Sequence, residues 1–370
     1  MTFYDHLYAS PYTWERVGNL LADATAADVE RSLAYRRRTI QDFITLISPA
    51  AIPYLEQMAR QAHALTVERF GHTMQLYIPL YLSNICSNAC VYCGFSRSNK
   101  IHRRRLTAEE VDREAEAILR LGYKHLLLVS GESEKATPAS YYEEMTRRLR
   151  PLFSQLSLEV QPLTTEEYAR LHEAGIGAVY VYQETYNEQA YPTYHPAGRK
   201  ADYRYRLETP DRIGRANMQK IGIGALLGLE NWRVDSVFTA LHLRYLEQTY
   251  WKSKFSISLP RLRPATGGWE PKDSIDDVGM VQLITAFRLL DKDVEISLST
   301  RESREFRDHV MPLGITSVSA GSKTEPGGYA EEKADLEQFA INDTRSPAEM
   351  AADLRRLGYE PVWKDWDAFM

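Results

Sequence analysis

All three cysteines of this 370-residue chain lie within eight residues, as Cys86, Cys90 and Cys93 in a C-x3-C-x2-C pattern. An odd and clustered set of thiols cannot form a disulfide framework, so the spacing indicates soft ligands gathered around a metal. The two candidates are zinc and an iron–sulfur cluster.

The number of cysteines bears on the choice between these two metals. A closed structural zinc site takes four protein ligands, usually as two pairs separated by a long loop. The chain has no fourth cysteine, and the nearest downstream histidine, His102, stands in a run of arginines whose charge opposes a bound cation. A 4Fe-4S cluster held by three thiolates leaves one iron without a protein ligand, and that iron can bind a small molecule and take part in catalysis. We favour the iron–sulfur cluster, with structural zinc and three unrelated free cysteines as the alternatives.

The charge balance argues against a nucleic-acid partner. The chain has 45 Lys and Arg against 50 Asp and Glu, a formal net charge of -5, whereas a phosphate backbone requires a basic surface. The run KIHRRR at 100–105 precedes a capped helix in this acidic chain and predicts a solvated loop. A small-molecule substrate is therefore expected.

The amino-terminal residues lack the basic and apolar regions of a signal peptide, and no stretch approaches 18 consecutive apolar residues. We therefore expect a cytoplasmic protein with no membrane partner. That compartment suits thiolates that must stay reduced to bind a metal cluster.

Strands and helices alternate from residue 75 onward. Eight short apolar runs rich in β-forming residues predict strands at 75–82, 125–130, 157–163, 178–184, 222–229, 255–262, 295–300 and 317–320. Helical spacing predicts helices between most of them, at 108–121, 141–152, 165–174, 234–251 and 277–290. Thr107 and Glu110 form a capping-box pattern, and Gly122 and Gly175 stand where helix C-caps belong. Eight such units predict an α/β fold, a TIM-type (βα)8 barrel.

The two ends of the chain differ from this pattern. Residues 1–70 predict a helical N-terminal extension, with helices at 26–36, 39–46 and 49–69, and residues 71–325 form the predicted barrel. Residues 326–370 predict a C-terminal extension packed on the barrel, with one helix at 347–357 and an aromatic, charged end, VWKDWDAFM. Cys86 follows the first predicted strand by four residues, so we expect the cysteines at the C-terminal face of the barrel, where active sites of this fold lie.

The cysteine spacing, with the aromatic Tyr92 just before the third cysteine, resembles the signature of the radical S-adenosylmethionine (SAM) superfamily. Further strings across about 77–366 resemble the 2-iminoacetate synthase family, the tyrosine lyases of thiamine biosynthesis. These strings are YIPLYLSNICSNACVYCGFS, HLLLVSGE, EVQPL, VYQETY, RLETPDR, GALLGL, PRLRPATGG, LSTRES and EPVWKDWD.

This resemblance implies an activity, cofactors and partners. It implies one 4Fe-4S cluster on the three cysteines, SAM bound to the open iron, and an external one-electron reductant of the flavodoxin or ferredoxin type. The reaction implied is cleavage of the Cα–Cβ bond of L-tyrosine into 2-iminoacetate (dehydroglycine) and p-cresol, which supplies the thiazole part of thiamine. Thiazole synthase is then the expected partner, and the aromatic C-terminal string either closes the active site or docks that partner.

The resemblance also implies residues that bind SAM. Glu132, in a segment similar to the family's Gly-Gly-Glu, would accept the ammonium group, and Glu184 would accept the ribose hydroxyls. Arg206 would hold the SAM carboxylate, since a guanidinium matches a carboxylate in a bidentate pair. Tyr92 and Leu226 would lie beside the adenine.

Two residues near the ends of the last strands would hold the substrate. Arg301 matches the position at which related aromatic amino-acid lyases anchor the substrate carboxylate, and Ser319 would hydrogen-bond the same group. A buried arginine at a strand end with no acidic neighbour in the next strand is costly as a purely structural element, which favours the functional interpretation of Arg301.

Two alternatives remain at this point, and one close relative is excluded. A lyase of tryptophan or another aromatic amino acid shares the barrel and the carboxylate anchor, so spacing alone does not distinguish it. A zinc-stabilised binding protein is the alternative from a different class. The related tyrosine lyase of hydrogenase maturation carries further cysteines near its C-terminus, and no cysteine follows Cys93 here, which excludes that relative.

Overall fold

Eight parallel strands close into a barrel in the computed structural model, which describes residues 2–263, 269–330 and 338–364. Each strand pairs with the next along the chain, and the long first strand pairs with both the second and the eighth. A ninth strand adds to the start of the first. The strands are β1 Thr73–Ser83, β2 His125–Ser130, β3 Gln155–Glu159, β4 Ile176–Tyr180, β5 Lys220–Gly224, β6 Lys254–Ser258, β7 Glu295–Leu298, β8 Ser317–Ser319 and β9 Glu360–Val362.

Helices precede the barrel and connect its strands. Five come before β1: α1 Phe3–Ala9, α2 Trp14–Asp23, α3 Ala26–Ala34, α4 Ile40–Leu46 and α5 Leu55–Phe70, with a 3-10 turn at Pro49–Tyr54. The others are α6 Ala108–Arg120, α7 Ala139–Leu149, α8 Thr165–Ala174, α9 Tyr191–Tyr194, α10 Tyr203–Leu207, α11 Thr209–Arg215, α12 Trp232–Thr249, α13 Asp277–Leu290, α14 Arg304–Gly314 and α15 Pro347–Arg356, with a 3-10 turn at Arg199–Ala201. No helix among the described residues is long and apolar enough to cross a membrane.

The predicted barrel is confirmed, and the local signals at helix ends act as expected. The Thr107 side chain accepts from the backbone N–H of Glu110, and the Glu110 carboxylate accepts from the N–H of Thr107, so both halves of the capping box form. Gly175 ends α8 with a φ of 122°, a conformation that glycine adopts without a steric penalty. These contacts set where the helices begin and end.

Several strands end earlier than predicted. β4 ends at Tyr180 and β5 at Gly224, whereas the apolar runs continue for four or more residues. The extra apolar residues are buried in loops above the barrel; Leu226 and Leu229 are examples. An apolar run indicates buried residues, and here the buried stretch extends beyond the last residue that pairs with a neighbouring strand.

The prediction missed several helices. α1 and α2 lie before the first predicted helix, α14 contains Pro312, and α9 to α11 are short segments between β4 and β5. α1 and α9 to α11 are too short for a clear helical period. α2 and α14, with 10 and 11 residues, do carry apolar residues at helical spacing and could have been predicted. Two of these missed segments, α10 and the turn before it, carry residues of the candidate site.

The helices before β1 pack on the outside of the barrel. The backbone N–H of Phe3 donates to Asp211 (3.0 Å), and the Phe3 ring stacks on His242 at 3.8 Å. α5 packs against α13 and α14. The division of the chain at 70 and at 325 stays a prediction.

The aromatic C-terminal string begins at the opposite end of the barrel from the cysteines. β9 pairs with Thr73–Gln75 at the start of β1, and Trp363 packs edge-on against Tyr123 at 5.2 Å. Residues 365–370 of this string lie outside the described residues.

Candidate active site

A cavity of about 160 Å³ opens at the C-terminal end of the barrel strands. All eight barrel strands, or the loops that follow them, supply its walls. Its lining includes Tyr81, Tyr92, Cys93, Glu159, Tyr182, Glu184, Lys200, Leu226, Ser258, Arg263, Arg301, Ser319, Gln338 and Phe339. Six of the predicted site residues are in this set, and they come from stretches of chain more than 200 residues apart.

A larger cavity, of about 890 Å³, lies at the other end of the barrel. Its walls are the starts of strands, including Thr73, Lys254 and Glu295. Active sites of TIM barrels occupy the C-terminal face, so the smaller cavity beside Cys93 is the candidate site.

The three cysteines lie in the loop that follows β1, as predicted. Cys90 is buried and the other two are partly buried. Burial raises the pKa of all three thiols, and the charge of Cys93 adds to the effect on both Cys86 and Cys90. The three sulfurs are therefore close enough to influence each other electrostatically.

The segment 100–105 is a loop with exposed residues, as predicted, but it also holds the cysteine loop in place, which was not predicted. The Arg103 guanidinium donates to the backbone carbonyls of Asn84, Phe95, Ser96 and Asn99, at 2.6 to 3.1 Å. These contacts close the loop on both sides of the cysteines. An arginine can do this because its fork carries five donors in one plane.

A second set of contacts ties the loop to neighbouring strand ends. The Asn88 amide donates to Glu132 (2.8 Å), and its oxygen accepts from the backbone N–H of Lys200 (3.0 Å). The hydroxyl and backbone N–H of Ser87 both donate to the Glu132 carbonyl at 2.9 Å. The position of the cysteines is therefore coupled to the loops that follow β2 and β4.

The described residues contain no group of three His, Cys, Asp or Glu side chains arranged to hold a single metal ion. In a 4Fe-4S cluster each thiolate binds its own iron, so the sulfurs do not converge on one point. Buried thiols of raised pKa also need a cationic centre to become thiolates. The donor set fits an iron–sulfur cluster better than a closed zinc site.

Four charged side chains form a network beside the cysteines. Arg206 donates to Glu132 (2.9 Å) and lies 3.5 Å from Glu184, while Lys200 donates to Glu184 (2.6 Å). Burial acts to raise the pKa of Glu132, but Arg206 and Lys200 hold it below its usual value. The structure brings together Glu132, Glu184 and Arg206, the three residues predicted for the polar groups of SAM. Lys200 is a fourth member of this network that was not predicted.

Glu184 has a strained backbone. Its φ of 72° is in the left-handed region, which a glutamate rarely adopts, and its carbonyl accepts from the backbone N–H of Leu226 (2.8 Å). Strained residues of this kind are found where a side chain must be held in one direction. Glu184 lies in the loop after β4, where it forms an isolated bridge with Ala225.

Tyr92 and Leu226 lie in one apolar cluster with Tyr194 and Leu229, and their contact with adenine stays a prediction. The Tyr92 hydroxyl is 2.8 Å from Nε2 of the buried His195, whose Nδ1 lies 3.1 Å from the Tyr191 carbonyl. Burial, with Lys200 and Arg206 nearby, lowers the pKa of His195 to about 2, so its ring is neutral. Nδ1 then donates to the carbonyl, and Nε2 accepts from Tyr92.

Arg301 and Ser319 lie together on the opposite wall. The Ser319 hydroxyl accepts from the backbone N–H of Thr300 (3.2 Å), next to Arg301. The Arg301 guanidinium lies 3.4 Å from the centre of the Phe339 ring. Phe339 comes from the segment that follows the barrel, so this segment covers part of the cavity.

Sequence reasoning missed two further groups of the cavity. Glu159, the last residue of β3, accepts a hydrogen bond from the Tyr182 hydroxyl (3.2 Å). Gln338 accepts from the Tyr81 hydroxyl (2.7 Å) and points its amide at the Cys93 sulfur (3.9 Å). A carboxylate at the end of a predicted barrel strand was a usable signal for Glu159, whereas nothing local marks Gln338.

Two family models match the chain. The Radical SAM superfamily model matches residues 80–240, and the Biotin and Thiamin Synthesis associated domain model matches residues 258–360. The first covers the cysteine loop and the network around Glu132, and the second covers the wall that carries Arg301.

Similar proteins match over almost the whole chain. The chain is 52% identical over 358 residues to a 2-iminoacetate synthase of Escherichia coli (strain K12), covering 96% of this chain and 95% of that protein. It is 51% identical, with the same coverage, to a 2-iminoacetate synthase of Salmonella typhimurium. A solved structure of HydG, a maturase of the FeFe-hydrogenase, aligns with a TM-score of 0.89 at 32% identity, covering 94% of this chain and 80% of that one.

Proposed function

The chain belongs to the 2-iminoacetate synthase family of radical SAM enzymes, and we propose that the cavity beside Cys93 is where it cleaves its substrate. The enzyme is a lyase that breaks the Cα–Cβ bond of L-tyrosine, giving 2-iminoacetate and p-cresol for the thiazole part of thiamine. It uses one 4Fe-4S cluster, SAM and an external reductant.

The observation that carries the assignment of the site is the convergence of predicted residues on one cavity. Residues proposed for SAM, such as Tyr92 and Glu184, lie on one side, and Arg301 and Ser319 lie on the other. Cys93 stands at the boundary of the same space. A site for two ligands that must react needs this arrangement, because catalysis depends on holding the reacting atoms together.

Cys86, Cys90 and Cys93 would hold the cluster, and the Arg103 clamp keeps their loop closed. When bound, the cluster and SAM supply a one-electron route that removes a hydrogen atom from the substrate amine. The protein positions the two ligands, excludes water from the cavity and surrounds them with groups of complementary charge.

Glu132, Arg206 and Glu184 would bind the polar groups of SAM. Their mutual ion pairs show that the charges are already in place: Arg206 contacts Glu132 at 2.9 Å and Glu184 at 3.5 Å. The ammonium of SAM would share Glu132 with Arg206, and the carboxylate of SAM would share Arg206 with Glu132. Tyr92 and Leu226 would enclose the adenine in the apolar cluster above the network.

Arg301 would anchor the substrate carboxylate, with Ser319 beside it. Burial lowers the pKa of Arg301, and no ion pair within 4.0 Å between described residues includes it, so its charge is available to a ligand. Anchoring the carboxylate decides which hydrogen of tyrosine faces SAM. This is a role in selectivity as well as in affinity.

Transfer of the product to thiazole synthase belongs to the same proposal. An imine of this kind hydrolyses readily in water, so a partner that receives it directly would protect it. A flavodoxin or a ferredoxin is proposed as the electron donor.

The direct test is an anaerobic incubation of the reconstituted protein with SAM, dithionite and tyrosine. We expect 5'-deoxyadenosine and p-cresol in comparable amounts, and neither product from a Cys90→Ala variant that cannot assemble the cluster. A parallel incubation with tryptophan tests the alternative substrate. Deoxyadenosine without p-cresol, or a cleaved indole product from tryptophan alone, would overturn the assignment to tyrosine.

A further inference from the structure

Two side chains of opposite charge face the cavity without an ion-pair partner among the described residues. They are Glu159, at the end of β3, and Arg301, in the loop after β7. None of the ion pairs within 4.0 Å between described residues includes either of them. The other carboxylate in the lining, Glu184, contacts Lys200, and the nearby Glu132 contacts Arg206, so both are already neutralised.

Glu159 and Arg301 nevertheless act on each other across the cavity. Burial is the largest effect on the pKa of either group, and the strongest opposing charge on Glu159 is that of Arg301. The charge of Glu159 likewise supports the ionised form of Arg301. The two groups therefore face one space from opposite sides, too far apart to pair directly.

An unpaired charge inside a protein is costly unless a ligand supplies the missing partner. The other charged groups that line this space are in ion pairs, so it offers one unpaired cation and one unpaired carboxylate. That combination fits a zwitterion, whose two charges it can satisfy at once. An α-amino acid carries its carboxylate and its ammonium on a single carbon, so groups that bind them must be near each other. The hydroxyl of a tyrosine side chain is at the far end of the ring from both.

We propose that Glu159 binds the ammonium group of the substrate while Arg301 binds its carboxylate, and that Glu159 accepts a proton from that ammonium. This inference rests on the proposed function of the cavity and goes beyond it by assigning the amine, which no other residue described above contacts. In the transfer, one N–H bond of the ammonium breaks, its electron pair stays on nitrogen, and a new O–H bond forms on Glu159.

This proton transfer has a chemical purpose. The substrate ammonium has no lone pair on its nitrogen, whereas the neutral amine does, and that lone pair stabilises a nitrogen-centred radical after loss of a hydrogen atom. A base within reach of the amine is therefore needed before the hydrogen atom is removed. Burial raises the pKa of Glu159 to about 6, with Arg301 opposing this rise, which makes it a stronger base than an ordinary glutamate near neutral pH.

Tyr182 holds the carboxylate in place for this role. Its hydroxyl donates to Glu159 at 3.2 Å, and the backbone carbonyl of Tyr182 accepts from Arg206 at 2.7 Å. The residue that orients Glu159 is thus also fixed to the network proposed for SAM. The amine would then lie between the carboxylate anchor and the SAM side of the cavity.

The test compares ligands that each lack one group. Binding of tyrosine, of 3-(4-hydroxyphenyl)propionate, which lacks the amine, and of phenylalanine, which lacks the hydroxyl, is measured by calorimetry on enzyme loaded with cluster and SAM, without reductant. In the unmodified enzyme, loss of the amine should weaken binding about 30-fold or more, as expected for breaking a buried charge pair. In Glu159→Gln this factor should fall to about threefold or less, while the ratio of tyrosine to phenylalanine affinity stays the same.

The matched control is Glu144→Gln, the same substitution at an exposed position on α7, which should behave as the unmodified enzyme. Iron content and SAM affinity are measured for every variant to verify folding. If Glu159→Gln does not fold, Glu159→Asp and Tyr182→Phe replace it, and both should reduce the dependence on the amine.

The outcomes separate two failures. An unmodified enzyme that does not bind tyrosine, or gives no p-cresol, overturns the proposed function. An unmodified enzyme that binds tyrosine, together with a Glu159→Gln variant that keeps the full dependence on the amine, overturns only this inference. A variant that loses its dependence on the hydroxyl instead would place Glu159 against the phenol and overturn it as well.

Discussion

At the scale of single residues, the site is organised by which charges are paired. The side proposed for SAM contains two carboxylates and two cations that satisfy one another, as the contacts of Arg206 with Glu132 and of Lys200 with Glu184 show. The wall proposed for the substrate carries Arg301 without an ion pair among the described residues. A charged ligand therefore gains more binding free energy at the unpaired Arg301 than at the SAM side, where the existing ion pairs must first be broken.

Replacement of Arg301 by alanine should raise the KM for tyrosine by about 30-fold or more, because a buried charge pair with the substrate carboxylate is lost. The iron content should not change, since no cysteine of the loop contacts Arg301 through a hydrogen bond in the described structure. Steady-state kinetics of p-cresol formation, with iron and sulfide analysis, measures both effects.

Two comparison variants sharpen this prediction. Arg301→Lys keeps the charge and loses the planar fork, so it should recover only part of the affinity. Arg304→Ala removes a guanidinium that is 58% exposed and should leave the kinetics unchanged. Unaltered turnover of Arg301→Ala at subsaturating tyrosine would contradict the role in carboxylate binding.

At the scale of elements, the loops beyond the strand ends determine the site. The cysteine loop is held by Arg103 from the segment that follows it and by the turn before α10. Gly198 stands in that turn with a φ of 96°, against the backbone of the cysteine loop. A Cβ at this position would come within 2.6 Å of the Asn88 Cα and 2.9 Å of the Ser87 carbonyl oxygen.

Gly198→Ala should therefore disturb the cluster site as well as the turn. The backbone conformation alone costs about 1–3 kcal/mol for a residue with a side chain, and the clash falls on the residues between Cys86 and Cys90. We expect a lower iron content after reconstitution and weaker SAM binding. Iron and sulfide analysis and calorimetry with SAM are the measurements.

Gly18→Ala is the matched control for this substitution. Gly18 lies inside α2, and no atom would lie within 4 Å of its added Cβ. Alanine is the better helix former by about 1 kcal/mol, so this variant should be as stable or slightly more stable, with full iron content. Full cluster assembly and normal SAM affinity in Gly198→Ala would show that the turn does not position the cysteines.

At the scale of the whole molecule, the closed barrel buries polar groups that hold its outer helices. Asp235 of α12 is 1% exposed and accepts from the backbone N–H of Tyr186 (2.7 Å) and from the hydroxyl of Thr185 (3.0 Å). These bonds tie α12 to the loop after β4, which carries Glu184. Burial raises the pKa of Asp235 to about 8, although both hydrogen bonds oppose the rise.

This shift predicts a pH dependence of stability. The folded protein keeps a proton on Asp235 that the unfolded chain releases above the ordinary value of 3.8. The contribution of the protonated Asp235 to the free energy of unfolding is therefore complete below the ordinary pKa of 3.8, and it is lost as the pH rises towards about 8. Between these values the free energy of unfolding falls by at most about 1.4 kcal/mol per pH unit. Asp235→Asn, which cannot ionise, should show a flatter fall of Tm between about pH 5 and about pH 8.

Anaerobic scanning calorimetry at three pH values measures the slope. Asp23→Asn, at an exposed position at the end of α2, should keep the slope of the unmodified protein. Equal slopes in Asp235→Asn and the unmodified protein would mean that Asp235 is ionised in the folded state.

The features that the sequence determined by itself are local ones. Cys86, Cys90 and Cys93 share one loop, so their spacing alone indicates a metal cluster, and the alternation of apolar periods alone predicts eight βα units. Capping residues such as Thr107 act within one turn of the chain and were predicted for the same reason. The residues proposed for SAM and substrate came from resemblance, and the barrel places them around one cavity.

The tertiary structure decided which distant side chains meet. Gln338 approaches Cys93, and Glu159 faces Arg301, because closure of the barrel brings separate strands and loops to one face. Lys200 meets Glu184 because the long connection after β4 folds back on itself. No local pattern marks such residues, since their pairing depends on the register and curvature of the whole sheet. The role of Arg103 as a clamp likewise depends on a loop that folds back on itself. Long-range geometry therefore determined the pairing of charges, and that pairing led to the proposed role of Glu159.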